Sequence, residues 1–114
     1  IALQQIRVRR ISPENDTFLR WATREWAEIT LRYAMRETLG ACVHRAEIER
    51  LMLEIVLAGA GSFRIGVSPL ASIAQTRRCF PQIGDFLAQK KRFDQPERLQ
   101  NAWFRRVAAG LGAA

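Results

Sequence analysis

Residues 26–36 alternate without a break, and that alternation limits what this chain can become. Ile29, Leu31, Tyr33 and Met35 fall on one side, while Glu28, Thr30, Arg32, Ala34 and Arg36 fall on the other. A strand turns successive side chains to opposite faces, whereas a helix would scatter this pattern around its circumference. The β-branched and aromatic residues among them suit a pleated, half-buried surface. A strand cannot stand alone, so partners are expected nearby. Residues 5–11 supply one: Ile6, Val8 and, after a register break, Ile11 alternate with arginines and predict a short strand with a basic face. Residues 62–67 supply another, with Phe63, Ile65 and Val67 opposite Arg64, Gly66 and Ser68, ended by Pro69.

Helices are expected between and after these strands. Ser12-Pro13, followed by Glu14 and Asp16, reads as the capped start of a short helix carrying Phe18, Leu19 and Trp21. Gly40 is placed in a turn, and from Cys42 or Val43 to Leu57 the residues Ile48, Leu51, Met52, Ile55 and Val56 give the stripe of an amphipathic helix. Gly59 and Gly61 suit its left-handed end. A strand, a crossover helix and a second strand of these lengths can lie side by side. Residues 72–79, 83–92 and 96–107 then predict three further helices, interrupted at Phe80-Pro81 and at Pro96, with residues 108–114 as a frayed tail. The sum is an α+β fold: a small, mostly antiparallel sheet of about three strands, covered on one face by helices, with a helical C-terminal third. No repeat or long linker divides the chain, so residues 1–107 are expected to form a single domain.

At 114 residues with 48% hydrophobic content, the chain has the composition of a globular domain and not of a disordered tail. Its longest apolar run, residues 55–60, is far too short to span a bilayer, and no secretory signal is legible. No membrane association and a cytoplasmic location are the expectation, with Cys42 and Cys79 as reduced thiols. The chain opens on Ile1 and not on Met, and an excised or truncated piece is the expectation.

Little of this carries chemistry by itself. With one histidine, His44, and two distant cysteines, no familiar zinc ligand set or nucleophile–base pair can be assembled. Gly59-Ala60-Gly61 leaves a helix and enters a strand, the reverse of a dinucleotide-binding turn. The formal net charge of +7 is spread over Arg7/Arg9/Arg10, Arg77/Arg78, Lys90/Lys91/Arg92 and Arg105/Arg106. Such a surface admits a small basic module for nucleic acid or an acidic protein partner, but the aromatics Phe18, Trp21, Phe63, Phe86 and Trp103 sit at core spacing and offer little for base stacking.

One stretch says more. Residues 80–106 carry Phe80-Pro81, Phe86-Leu87, the Lys90-Lys91-Arg92 cluster, Asp94-Gln95-Pro96 and the aromatic pair Trp103-Phe104. Upstream lie residues 16–21, the strand at 29–36 and Gly59-x-Gly61-Ser62-Phe63. In this order and spacing they resemble the C-terminal, substrate (cap) domain of FAD-linked oxidoreductases of the vanillyl-alcohol oxidase and para-cresol methylhydroxylase type. The resemblance implies a sheet lying over a flavin ring, with FAD held mainly by a separate flavin-binding domain or subunit. It also implies that the faces of Ile29/Leu31/Tyr33/Met35 and Phe63/Ile65/Val67 pack on helices. The opposite faces would then meet the substrate, through Thr30, Arg32, Arg64 and Ser68, with the two arginines suited to a carboxylate or phosphate.

That family places a histidine just after the third strand, where this chain has Ser68, Pro69 and Leu70, and its Asp-Pro is here opened by Gln95. No catalytic residue is therefore assigned. The chain is expected to be a fragment or subunit of an FAD-dependent oxidoreductase, inactive alone. A homodimer that covers an exposed sheet face is a further expectation about partners.

Overall fold

The computed structural model describes residues 1–65 and 70–112. It runs β1 (Ala2–Ile11), β2 (Trp26–Ala34), α1 (Leu39–Ala58), α2 (Ile73–Cys79), α3 (Ile83–Phe93) and α4 (Ala102–Gly110), an α+β fold with an antiparallel sheet. The two long alternating segments pair with each other, Val8 opposite Ile29, Ile6 opposite Leu31 and Leu3 opposite Tyr33. Leu3 and Ile6 share a face although three positions apart, because the register shifts between Leu3 and Gln5 and leaves Gln4 as a bulge. One face is consequently apolar. The other carries Gln5, Arg7, Arg9, Glu28, Thr30 and Arg32.

Two strands form among the described residues where about three were expected. Residues 62–64 have no regular structure and Ile65 lies in a turn, while Gly66 and Val67 fall outside the described residues. The alternation there is still used: Phe63 and Ile65 turn inward and pack on the core. A segment outside any ladder can still bury alternate side chains, so the pattern is met without a strand among the described residues.

The expected helix after Ser12 does not form either. The Glu14 carboxylate accepts hydrogen bonds from both the backbone N–H and the hydroxyl of Thr17, and Glu14 N–H goes to Ala22 O at 3.0 Å. These bonds compete with a helical turn and close the segment into a loop. Gln82 Nε2 pins that loop by donating to Phe18 O at 3.1 Å, and Leu19 and Trp21 pack against the core.

Helix α1 starts earlier than expected. Thr38 caps it, accepting from Ala41 N–H at 3.3 Å, which draws Gly40 into the first turn. Its inward side is also different: Leu53 and Leu57 are buried, whereas Leu51 is 57% and Ile55 63% exposed. Leu, Ile and Val occur all around this helix, so periodicity could not choose the face. At its end Gly59 keeps a right-handed φ of −80°, and Ala60 takes the left-handed position with φ 55°.

The core belongs to the last third. Ser72 and Gln75 form a reciprocal capping box on α2. Asn101 caps α4, accepting from Phe104 N–H at 2.8 Å. This start lies beyond the expected one near Pro96 because the Asp94 carboxylate takes the N–H groups of Arg98 and Leu99, each at 3.0 Å, into a separate turn. The helix also runs further than expected: Ala108 is buried within it and Gly110 is its last residue. Phe80, Ile83, Leu87, Phe104, Val107 and Ala108 form one buried cluster. The radius of gyration, 15.9 Å, exceeds the roughly 13 Å of a compact chain of this length. The sheet stands away from this helical core, and Leu3, Ile6, Val8 and Ile29 are each more than half exposed.

Candidate functional site

The polar face of the sheet is organised around Glu28. Arg9, across the ladder, donates to one carboxylate oxygen, and Arg64, from the segment after α1, approaches the other at 3.6 Å. The Glu28 side chain keeps only 10% of its exposure. The hydrogen bond from Arg9 holds its carboxyl below the usual range against the opposing effect of burial, with the charges of Arg9, Arg64 and Arg7 adding to it. A carboxylate so held stays ionised at neutral pH and serves charge pairing better than proton transfer.

Thr30 and Arg32 follow Glu28 at alternate positions on that face, opposite Arg7 and Gln5, and both are exposed. The Arg32 side chain makes no ion pair or hydrogen bond with the described residues. Arg64 lies half exposed with its guanidinium 5.6 Å from the centre of the Trp21 ring. Through Glu28, then, the fold brings Arg64 to the face that carries Thr30 and Arg32. Ser68 lies outside the described residues. The apolar face was expected to pack on helices, and it does so only towards one end: Leu31, Tyr33 and Met35 are half-buried and Ile29 is open. Burial pushes the Tyr33 hydroxyl above its ordinary pKa, and the neighbouring Glu49 carboxylate on α1 adds to the shift.

A second polar centre lies where β2 begins and α1 ends. Trp21, Trp26, Arg24, Ser62, Arg78 and Cys79 line an open cleft of about 270 Å³. Arg24 donates to Ala60 O at 3.0 Å and Arg78 to Leu57 O at 2.8 Å, so one guanidinium group is fastened to the last turn of α1 and the other to the backbone just past it. The Arg24 guanidinium also lies 4.5 Å from the centre of the Trp26 ring. A larger groove of about 620 Å³ runs beside α3, floored by Ile83, Leu87 and Leu111, with Arg77 and Lys91 at its rim.

Comparison with protein-family models, curated proteins and solved structures gives no match for this chain. The chemistry must therefore be read from the site. Among the described residues no three His, Cys, Asp or Glu side chains gather as a metal-binding group, and no helix is long and apolar enough to cross a membrane.

Several of the residues that organise the two centres were not singled out from sequence. Glu28 was legible only as a member of the Thr30/Arg32 face; its partner Arg64 is 36 positions away by number and nothing local couples them. The joint grip of Arg24 and Arg78 on one helix end is likewise a product of the tertiary fold.

Proposed function

We propose that this chain is the C-terminal, substrate-side part of an FAD-dependent oxidoreductase, working with a flavin-binding domain or subunit and inactive alone. The observation that carries this reading is the half-finished sheet. Among the described residues two strands pair only with each other, and one face exposes Leu3, Ile6, Val8 and Ile29 to solvent. Such a ribbon is marginal until another element completes or covers it, and an exposed apolar face of this kind marks a partner site. The resemblance of residues 80–106 to the vanillyl-alcohol oxidase type supplies the kind of partner. The exposed basic groups Arg32 and Arg64 beside Thr30 are then the substrate-facing set, suited to a carboxylate or phosphate.

A small basic nucleic-acid module is the less favoured reading. Trp21, Phe63, Phe86 and Trp103 are packed against the core and leave few aromatic faces for stacking bases.

The test is association. The purified chain is expected to carry no flavin absorbance and to bind no added FAD in calorimetry. Mixed with an FAD-binding unit of that enzyme type lacking its own C-terminal region, it is expected to co-elute in size exclusion. Val8→Glu and Ile29→Glu should abolish co-elution while the circular dichroism spectrum stays unchanged. Tight FAD binding by the chain alone, or co-elution indifferent to both substitutions, would sink the proposal.

A further inference from the structure

We propose that the cleft at the C-terminal end of α1 binds a small oxyanion, a carboxylate or phosphate monoester borne on a ring-sized body. This site is separate from the sheet face discussed above, and the inference does not rest on the flavoenzyme reading.

Charge is the first ground. Two guanidinium groups, Arg24 and Arg78, line the cleft, and among the described residues no acidic side chain lines it with them. Each spends one N–H group on a carbonyl at the end of α1, Arg78 on Leu57 O within the last turn and Arg24 on Ala60 O just past it. A guanidinium has five such donors in a planar fork, so most of each remains for an oxyanion. The bonds to the helix end, and the placement of Arg24 over the Trp26 ring, fix both groups before any ligand arrives.

The second ground is a pair of orphaned polar atoms. Trp26 Nε1 and Ser62 Oγ are shielded from solvent and have no hydrogen-bond partner, and both residues line this cleft. Buried polar groups are rarely left unpaired, because the desolvation penalty is then uncompensated. Cations commonly cap helix carbonyls, and that role accounts for one N–H of each arginine. It does not account for an indole N–H and a hydroxyl gathered beside them with nothing to accept or donate. An oxyanion accepts from the free N–H groups of both arginines, and a small opening of the cleft wall would bring the indole N–H and the hydroxyl to it as well.

Size and wall chemistry set the class. At about 270 Å³ the cleft lies near the lower end of small-molecule sites, roughly 300–1,000 Å³, and is too small for a whole nucleotide. Trp21 and Trp26 are its aromatic lining residues, and their indole edges give a small ring apolar contact beside the two guanidinium groups.

The experiment uses the whole chain, with tryptophan fluorescence and calorimetry as readouts and benzoate, phenyl phosphate and benzyl alcohol as probes. Saturable one-to-one binding of benzoate or phenyl phosphate is expected, with none for the neutral alcohol. The preferred anion tells a carboxylate site from a phosphate site. Arg24→Gln and Arg78→Gln should each weaken binding by about tenfold or more, and Ser62→Ala by about two- to tenfold, as expected for charged and neutral hydrogen bonds respectively. Arg105→Gln, on α4 and away from the cleft, should leave binding unchanged. Because both cleft arginines also hold the end of α1, circular dichroism must show that their variants fold. If they do not, Ser62→Ala decides the matter alone. The proposal is overturned if neither anion binds saturably, if the alcohol binds as well as the anions, if Arg105→Gln weakens binding as much as the cleft variants do, or if Ser62→Ala leaves affinity untouched.

Discussion

Phe80→Ala should remove a large share of the stability of this fold. The Phe80 side chain has no exposed surface and stands at the centre of the buried cluster with Ile83, Leu87, Phe104, Val107 and Ala108. Its ring meets that of Phe63 edge-on, 5.7 Å between centroids. The backbone bonds at this position, Phe80 N–H to Thr76 O and Ile83 N–H to Phe80 O, survive any substitution, so the loss is that of the ring. Deleting a buried aromatic ring costs about 3–5 kcal/mol when the walls cannot collapse. Three helices and the 62–65 segment converge here, and a collapse that relieved one would open another. Against a total of roughly 5–15 kcal/mol for a domain of this kind, the variant should be marginal. Urea unfolding followed by far-UV circular dichroism measures it. With a urea dependence of about 1–3 kcal/mol per molar, the midpoint should fall by about 1 M or more. Phe80→Leu keeps most of the volume and should lose only about 1–1.5 kcal/mol. A loss below about 1 kcal/mol for the alanine variant would refute the placing of the core at Phe80, since the ring would then have to be on the surface.

Three further outcomes follow from particular contacts. Hydrogen bonds from Lys90, and from the Leu99 and Arg98 backbone, hold the Asp94 carboxyl below its usual range. A depressed carboxylate contributes stability above the unfolded-state value and loses it as pH falls through the folded value, so Asp94→Asn should destabilise at pH 7, and the gap to the parent should close in acid unfolding below about pH 4. Gly61→Ala places a Cβ at 2.8 Å from Val56 O and 2.7 Å from Val56 Cγ1, and should cost about 1–3 kcal/mol in thermal unfolding. Ala60→Gly relieves a left-handed residue, φ 55°, and should raise stability by up to about 1 kcal/mol despite the greater freedom of glycine in the unfolded chain.

The sheet was legible because one residue type decided one face at a time. The period of two from Ile29 to Met35 survives any reasonable partner, but the neighbour weighed for it was residues 62–67 across the long helix, and among the described residues it pairs with the Ile6/Val8 segment instead. The inward turn of Phe63 and Ile65 was legible for the same reason. Where competing hydrogen bonds existed, local signals misled. Ser12-Pro13 looks like a helix start, but Glu14 prefers Thr17; Pro96 looks like another, but Asp94 captures the next free N–H groups and Asn101 caps instead. Helix α1 shows a different limit. Its apolar residues outnumber what one face can bury, so only packing could assign Leu53 and Leu57 inward and Leu51 and Ile55 outward. At the sites, the arginines were visible but their targets were not, since Glu28 meets Arg64, and Arg78 meets Leu57 O, across long stretches of chain.

The lateness of the core in the sequence has a consequence for synthesis. Every member of the buried cluster lies between Phe80 and Ala108, whereas the exposed apolar residues of the sheet and α1 all precede it. At roughly 5–20 residues per second, the ribosome releases the hairpin and the long helix several seconds before Phe104 and Val107 exist. During that interval the nascent chain displays its stickiest surfaces with nothing of its own to bury them. Protease protection of ribosome-bound chains should therefore appear abruptly, only once α4 has left the exit tunnel, and a partner or chaperone that engages the hairpin first would govern the yield.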